Sequence, residues 1–127
     1  MAKKILVVDD EPVIVQMVTS RLRASGYSCI SARDGADGLG KARSEHPDLI
    51  ILDVMMPKMD GFEVCATLKQ DERYQKIPII LFTAKAGEEA RQVGLQDCGA
   101  DAYLTKPFEA QTLLAKISEL LPIRSER

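Results

Sequence analysis

Five side chains in this sequence could share one piece of chemistry: Asp9, Asp10, Asp53, Thr83 and Lys106. Each follows a short apolar run. Ile5-Leu6-Val7-Val8 leads into Asp9 and Asp10, Leu49-Ile50-Ile51-Leu52 into Asp53, the stretch from Ile77 to Phe82 into Thr83, and Ala102 to Thr105 into Lys106. Unbroken apolar runs bounded by turn signals read as strands covered on both faces, the parallel-sheet kind. Open α/β sheets bind ligands beyond the carboxyl ends of their strands. Three carboxylates gathered there would repel one another and need a cation. An all-oxygen set of this kind suits Mg2+, which takes one or two carboxylates and completes its shell with water and phosphate oxygen. A carboxylate can also be a nucleophile, forming an acyl phosphate, with a lysine and a hydroxyl as donors to the transferred oxygens. Taken alone, each residue has a plainer reading. Asp53 either does chemistry or caps the loop after it. Five such groups at four strand ends do not share one plain reading.

The elements between these tips alternate. After the first strand, Pro12 suits the first turn of a helix. Ile14, Met17, Val18 and Leu22 then recur at helical spacing until Gly26 stops it. Tyr27 to Ala32 forms a second strand. Asp34-Gly35 opens a helix to about Ser44, weakened by Gly38 and Gly40 at about 1 kcal/mol each relative to Ala; it is expected to be the frailest helix. After Asp53, Pro57 and Asp60-Gly61 mark a loop. Asp60 and Glu63 have capping-box spacing for a helix to Lys69. Gly87-Glu88-Glu89 opens a fourth helix with acids where the macrodipole favours them, and Gly99 closes it. Leu113, Leu114, Ile117 and Leu121 stripe the last helix, which Pro122 ends. Five strands alternating with five helices through short loops give right-handed crossovers and a parallel sheet.

Of the 127 residues 46% are hydrophobic and 28% charged, which suits one domain with one core. We place it at residues 1–122, with 123–127 as a polar tail or linker stub. With 17 basic and 19 acidic residues the net charge of −2 leaves no electrostatic footprint for nucleic acid. No basic amphipathic helix suggests a membrane surface. The first apolar run is too short for a signal peptide or a membrane span, so a cytoplasmic location is expected. Cys29, Cys65 and Cys98 show neither a disulfide framework nor zinc spacing and read as buried or half-buried structural thiols. Gly35, Gly38 and Gly40 have the wrong order and place for a dinucleotide loop. His46, the only histidine, reads as a solvated surface residue.

The motifs Ile5-Leu6-Val7-Val8-Asp9-Asp10-Glu11, Leu52-Asp53-Val54-Met55-Met56-Pro57-Lys58-Met59-Asp60-Gly61, Thr83-Ala84 and Lys106-Pro107-Phe108 together resemble the receiver domain of bacterial two-component response regulators, over essentially the whole chain. The resemblance implies a doubly wound, flavodoxin-like (βα)5 fold with strand order 2-1-3-4-5. It implies Mg2+-dependent phosphoryl transfer from a sensor kinase's phosphohistidine, or from a phosphotransfer protein, to Asp53. Asp9 and Asp10 would hold the metal with Asp53 and the backbone carbonyl of Met55. Thr83 and Lys106 would bind the phosphoryl oxygens. Tyr103 would move inward when Thr83 is drawn to the phosphate, changing the surface of the fourth helix, fifth strand and fifth helix for a downstream protein or effector domain. The Lys106-Pro107 bond would be cis. Such a domain assists its own phosphorylation and dephosphorylation and is not otherwise an enzyme. Gly38 and Gly40 depart from the pattern only in the second helix, where many receivers place better helix formers.

Other readings fit less well. A phosphatase of the haloacid-dehalogenase type needs a D-x-D motif on the first strand, where this chain has adjacent acids and offers no cap domain. A flavodoxin-like electron carrier wants a hydroxyl- and glycine-rich phosphate loop, and acids at that place would repel its cofactor. A receiver that binds partners without phosphorylation is the alternative within the family, and the complete residue set argues against it.

Overall fold

The computed structural model describes residues 2–84, 87–107 and 109–121. Phe108 of the last motif, the expected helix stop at Pro122 and the tail 123–127 lie outside these residues.

Strand β1 (Lys4–Val8) leads to helix α1 (Pro12–Ala24), β2 (Ser28–Ala32), α2 (Gly35–Glu45), β3 (Leu49–Leu52) and α3 (Gly61–Lys69). The chain continues with β4 (Ile79–Thr83), α4 (Glu88–Gln92), a π-helical turn (Val93–Asp97), β5 (Ala102–Thr105) and α5 (Ala110–Leu120). All strand pairings are parallel, in the order β2-β1-β3-β4-β5. This is the expected doubly wound sheet. Successive strand residues point to opposite faces, so each apolar run feeds two cores. Ile5, Val7, Leu49, Ile51, Ile80 and Phe82 pack with Val18 and Leu22 of α1 and with Leu113 and Ile117 of α5. Leu6, Val8, Ile50, Leu52, Ile79 and Leu81 pack on the other side with Ala42 of α2 and Val64, Cys65 and Leu68 of α3.

Helix ends follow their sequence signals. Pro12 opens α1, and Gly26 takes the left-handed φ of +97° just past its end. Asp60 and Glu63 make the full reciprocal capping box of α3. His46 caps α2 at φ +50° and is exposed, as expected. Strand edges differ slightly from expectation. Tyr27 is buried but precedes β2, and β4 begins after Ile77 and Pro78, the latter having no N–H to donate to a ladder.

The fourth helix departs from expectation. Beyond Gln92 it widens into the π-turn, where Cys98 N donates to Val93 O at 2.9 Å. Helix α2 has the expected bounds, and one of its glycines has a packing role that its helix cost does not show. Gly38 is buried, and a Cβ there would lie 2.8 Å from Val8 Cγ1, so this glycine is what allows α2 to sit on β1. Nothing lies within 4 Å of a Cβ at Gly40.

Cationic side chains bond carbonyls on both outer strands. On β2 the residues flanking Cys29 and Ser31 bond inward to β1, leaving these two facing out; Arg23 Nη2 donates to Cys29 O and Lys41 Nζ to Ser31 O. On β5, Arg91 Nη1 donates to Tyr103 O at 3.2 Å.

Candidate functional site

Parallel strands all end on the same edge, so the fold alone brings Asp9, Asp53, Thr83 and Lys106 together. Asp9 follows β1, and its backbone N–H donates to Ala32 O at 3.1 Å. Asp53 follows β3 and donates likewise to Val8 O at 2.9 Å. The two acids are therefore carried by adjacent strands. Asp9, Asp53 and Thr83 are buried, while Asp10 is exposed at the rim. One carboxylate oxygen from each of Asp9, Asp10 and Asp53 lies within 4.8 Å of the others. These hard oxygen donors at that spacing fit a small divalent cation of the Mg2+ type.

A cation already stands among them. Lys106 Nζ lies 2.8 Å from Asp9 Oδ2, 3.3 Å from Glu11 Oε1 and 3.5 Å from Asp53 Oδ2. The repulsion expected of three acids is thus partly offset by the protein itself. Burial pushes the Asp9 carboxyl above the usual carboxylate range and the Asp53 charge adds to this, while hydrogen bonds from Lys106 and Glu11 N–H pull it back. Burial pulls Lys106 down, but the Asp9 hydrogen bond and the charges of Asp53 and Asp9 outweigh it and hold the ammonium above its ordinary value. The Lys106-Pro107 peptide is cis, as expected.

The loop after Asp53 is tightly placed. Met55 N–H donates to Asp53 Oδ1 at 3.2 Å, and the Met55 side chain is exposed beside the cleft. Gly61 opens α3 directly against the acid: a Cβ there would sit 2.2 Å from Asp53 O. Tyr103 on β5 is buried beside Leu81 of β4. Burial raises its phenol pKa and the Asp53 charge raises it further.

Every residue expected at the site is at or beside this edge. Two contributors were missed. Glu11 was read only as part of a motif, yet it shares Lys106; the run of three acids was its signal. Gly61 was read as a turn residue, and nothing in its own spacing shows that a strand-end carbonyl lies against it.

Fold and cleft place the chain among flavodoxin-like α/β domains with an oxygen-donor site at the carboxyl edge. It belongs to the response regulator receiver domain family, whose model matches residues 5–118, and is a signalling domain of two-component systems. The alkaline phosphatase synthesis transcriptional regulatory protein PhoP of Bacillus subtilis is 49% identical over 121 residues, covering 95% of this chain and 49% of PhoP. The response regulator PleD of Caulobacter vibrioides is 43% identical over 94% of this chain and 26% of its own length. This chain thus spans half or less of these curated relatives. Among solved structures, chemotaxis protein CheY4 of Vibrio cholerae is 38% identical with a TM-score of 0.89, covering 95% of this chain and 100% of that one. Response regulator TrrA of Thermotoga maritima, in complex with Mg(2+)-BeF, is 35% identical with a TM-score of 0.84, covering 94% and 99%.

Proposed function

We propose that Asp53 is the acceptor of a phosphoryl group delivered from a partner kinase's phosphohistidine or from a phosphotransfer protein. The observation that carries this reading is the position of Asp53: buried at the tip of β3, beside Asp9 and 3.5 Å from the Lys106 ammonium. A carboxylate oxygen of Asp53 attacks phosphorus; the P–N bond to imidazole breaks as the P–O bond forms, and the departing imidazole takes up a proton. Lys106 and the Thr83 hydroxyl serve as donors to the phosphoryl oxygens. Lys106 is held ready for this by Asp9 and Glu11, which keep it charged and aimed across the cleft. Asp9, Asp10, Asp53 and the Met55 carbonyl would hold Mg2+, which when bound offsets the negative charge shared between acids and phosphate. The magnesium-bound TrrA structure supports the choice of ion.

The domain assists both gain and loss of its phosphoryl group, but its product is a changed surface. Thr83 drawn to the phosphate and Tyr103 packed behind it couple the site to the face of α4, β5 and α5. That face serves a downstream protein or an effector domain beyond the unit at 1–122, as in the transcriptional regulators it resembles. A cytoplasmic location goes with this reading, and no described helix is long and apolar enough to cross a membrane. Incubation with acetyl phosphate and Mg2+ followed by intact mass measurement tests the assignment. One phosphoryl mass is expected on the wild type and none on Asp53→Ala. Persistence of that mass in the variant would remove Asp53 from the role. Its absence from the wild type would leave a partner-binding module that works without phosphorylation.

A further inference from the structure

We infer that Gly94 is the positioning residue that admits the Tyr103 ring to its buried place, and that a side chain at this position turns the ring outward. The meaning of this for signalling rests on the switch reading above; the packing argument does not.

Gly94 is the second residue of the π-turn and is buried. Its backbone does not require glycine, because the glycines with left-handed φ among the described residues are Gly26, Gly87 and Gly99. Glycine is also a poor helix former. Its presence is explained by what lies beneath it. A Cβ on Gly94 would stand 2.7 Å from Leu81 Cδ1, 2.9 Å from Tyr103 Cδ2 and 3.2 Å from Tyr103 Cε2. Carbon atoms prefer roughly 3.5–4.0 Å, so a methyl group cannot be added without movement. Leu81 and Tyr103 are cross-strand neighbours, and Gly94 sits over the pair.

The surroundings decide which group moves. Leu81 is 0% exposed on β4, with β3 on one side and β5 on the other, so it has nowhere open to go. The turn carrying Gly94 is closed by two hydrogen bonds, from Cys98 N to Val93 O and from Ala100 N to Gly94 O, each at 2.9 Å. The Tyr103 backbone is held by β4 and by Arg91 Nη1 on its carbonyl. Its ring is carried by an edge strand and turns about single bonds, which the paired backbone cannot do. Rotation about χ1 to another staggered position would take it away from a Cβ on Gly94. The ring is the part that yields. Gly94 therefore sets the balance between inward and outward Tyr103 without touching the acid site.

The test labels the three tyrosines with fluorotyrosine and reads their fluorine NMR signals with and without a soluble gadolinium chelate, Tyr103→Phe assigning the signal of interest. Tyr27 and Tyr74 are buried and serve as controls. In the wild type all three signals are expected to resist broadening. In Gly94→Ala the Tyr103 signal is expected to broaden while the controls stay sharp. Because Leu81 Cδ1 also meets the new methyl, the pair Leu81→Val and Leu81→Val/Gly94→Ala is measured too; valine lacks that atom, leaving Tyr103 as the remaining clash. A Tyr103 signal still protected in the double variant would overturn the inference. Broadening of all three signals in Gly94→Ala would mark general loosening, and the valine pair then decides. Intact mass after acetyl phosphate separates this from the acceptor assignment. Phosphoryl uptake by Gly94→Ala is expected to match the wild type, and its loss in the variant alone would overturn the inference. Its loss in the wild type as well would defeat only the acceptor reading, and the fluorine result would still stand.

Discussion

Lys106 reaches across the tips of β3 and β4 to place its ammonium 2.8 Å from Asp9. It thereby joins the loop after β5 to the end of β1, and its side chain is only 11% exposed against 3% for Asp9. Removing one member of a buried pair leaves the other charged and unpaired, which costs about 3–5 kcal/mol. At this chain length 1 kcal/mol corresponds to about 4 °C in melting temperature. Lys106→Met should therefore melt well below the wild type in chelator, and Mg2+ should recover part of the loss by replacing the missing cation. Thermal melts of both proteins with and without Mg2+ check this; a variant melting within experimental error of the wild type in chelator would show that the pair contributes nothing.

Asp10 responds in the opposite sense. It is exposed and is not among the ion pairs of Lys106, so its charge is the least compensated of the three clustered acids. Asp10→Asn should melt slightly higher than the wild type in chelator and gain less from Mg2+. With free metal at tenfold its dissociation constant the wild type should gain about 1.4 kcal/mol, roughly 5 °C. Equal gains in the two proteins would put the metal elsewhere.

Two glycines of α2, two residues apart, should give opposite signs. Gly40 has open space around it, so Gly40→Ala should stabilise by about 1 kcal/mol through helix propensity. Gly38→Ala would press a methyl into Val8 at 2.8 Å and should cost about 1–3 kcal/mol. Chemical denaturation of the two variants decides it; stabilisation by both would mean α2 can lift from β1 freely.

Cys65 should make the domain sensitive to alkali. Burial, with the nearby Cys98, pushes its thiol from 9.0 to about 12, and its S–H donates to Cys98 O at 3.5 Å. The folded form keeps the proton that the unfolded chain releases. Its contribution is therefore complete below pH 9 and fades as pH rises toward about 12. A shift of this size is worth roughly 4 kcal/mol at most. Between pH 9 and 11 the wild type should lose stability more steeply than Cys65→Ala. Parallel curves would count against a proton held by the fold.

The sheet and its site were legible because both follow from short-range pattern. Apolar runs ending in acids, a hydroxyl or a lysine give strands and tips at once, and parallel connections put the tips on one edge. The capping box at Asp60 and Glu63 is equally local. What stayed hidden depends on contact between distant segments. Nothing in the spacing of Asp9 and Lys106 says that they bond, so the acids were expected to need a cation, and Lys106 was assigned only to the phosphoryl oxygens. Gly38 was read by its helix cost, whereas its use lies in what touches it. The π-turn escaped notice because one helical repeat and its widened form share nearly the same apolar pattern.

The cations on the free carbonyls of β2 and β5 have a consequence for association. A sheet with bare edges invites another chain to add a strand through main-chain pairing. Here an incoming strand would first have to displace Arg23 and Lys41 at one border and Arg91 at the other. Main-chain pairing is thereby disfavoured at both margins of the molecule. Recognition is left to side chains on helices and loops, the very surfaces that a change at Asp53 can reshape.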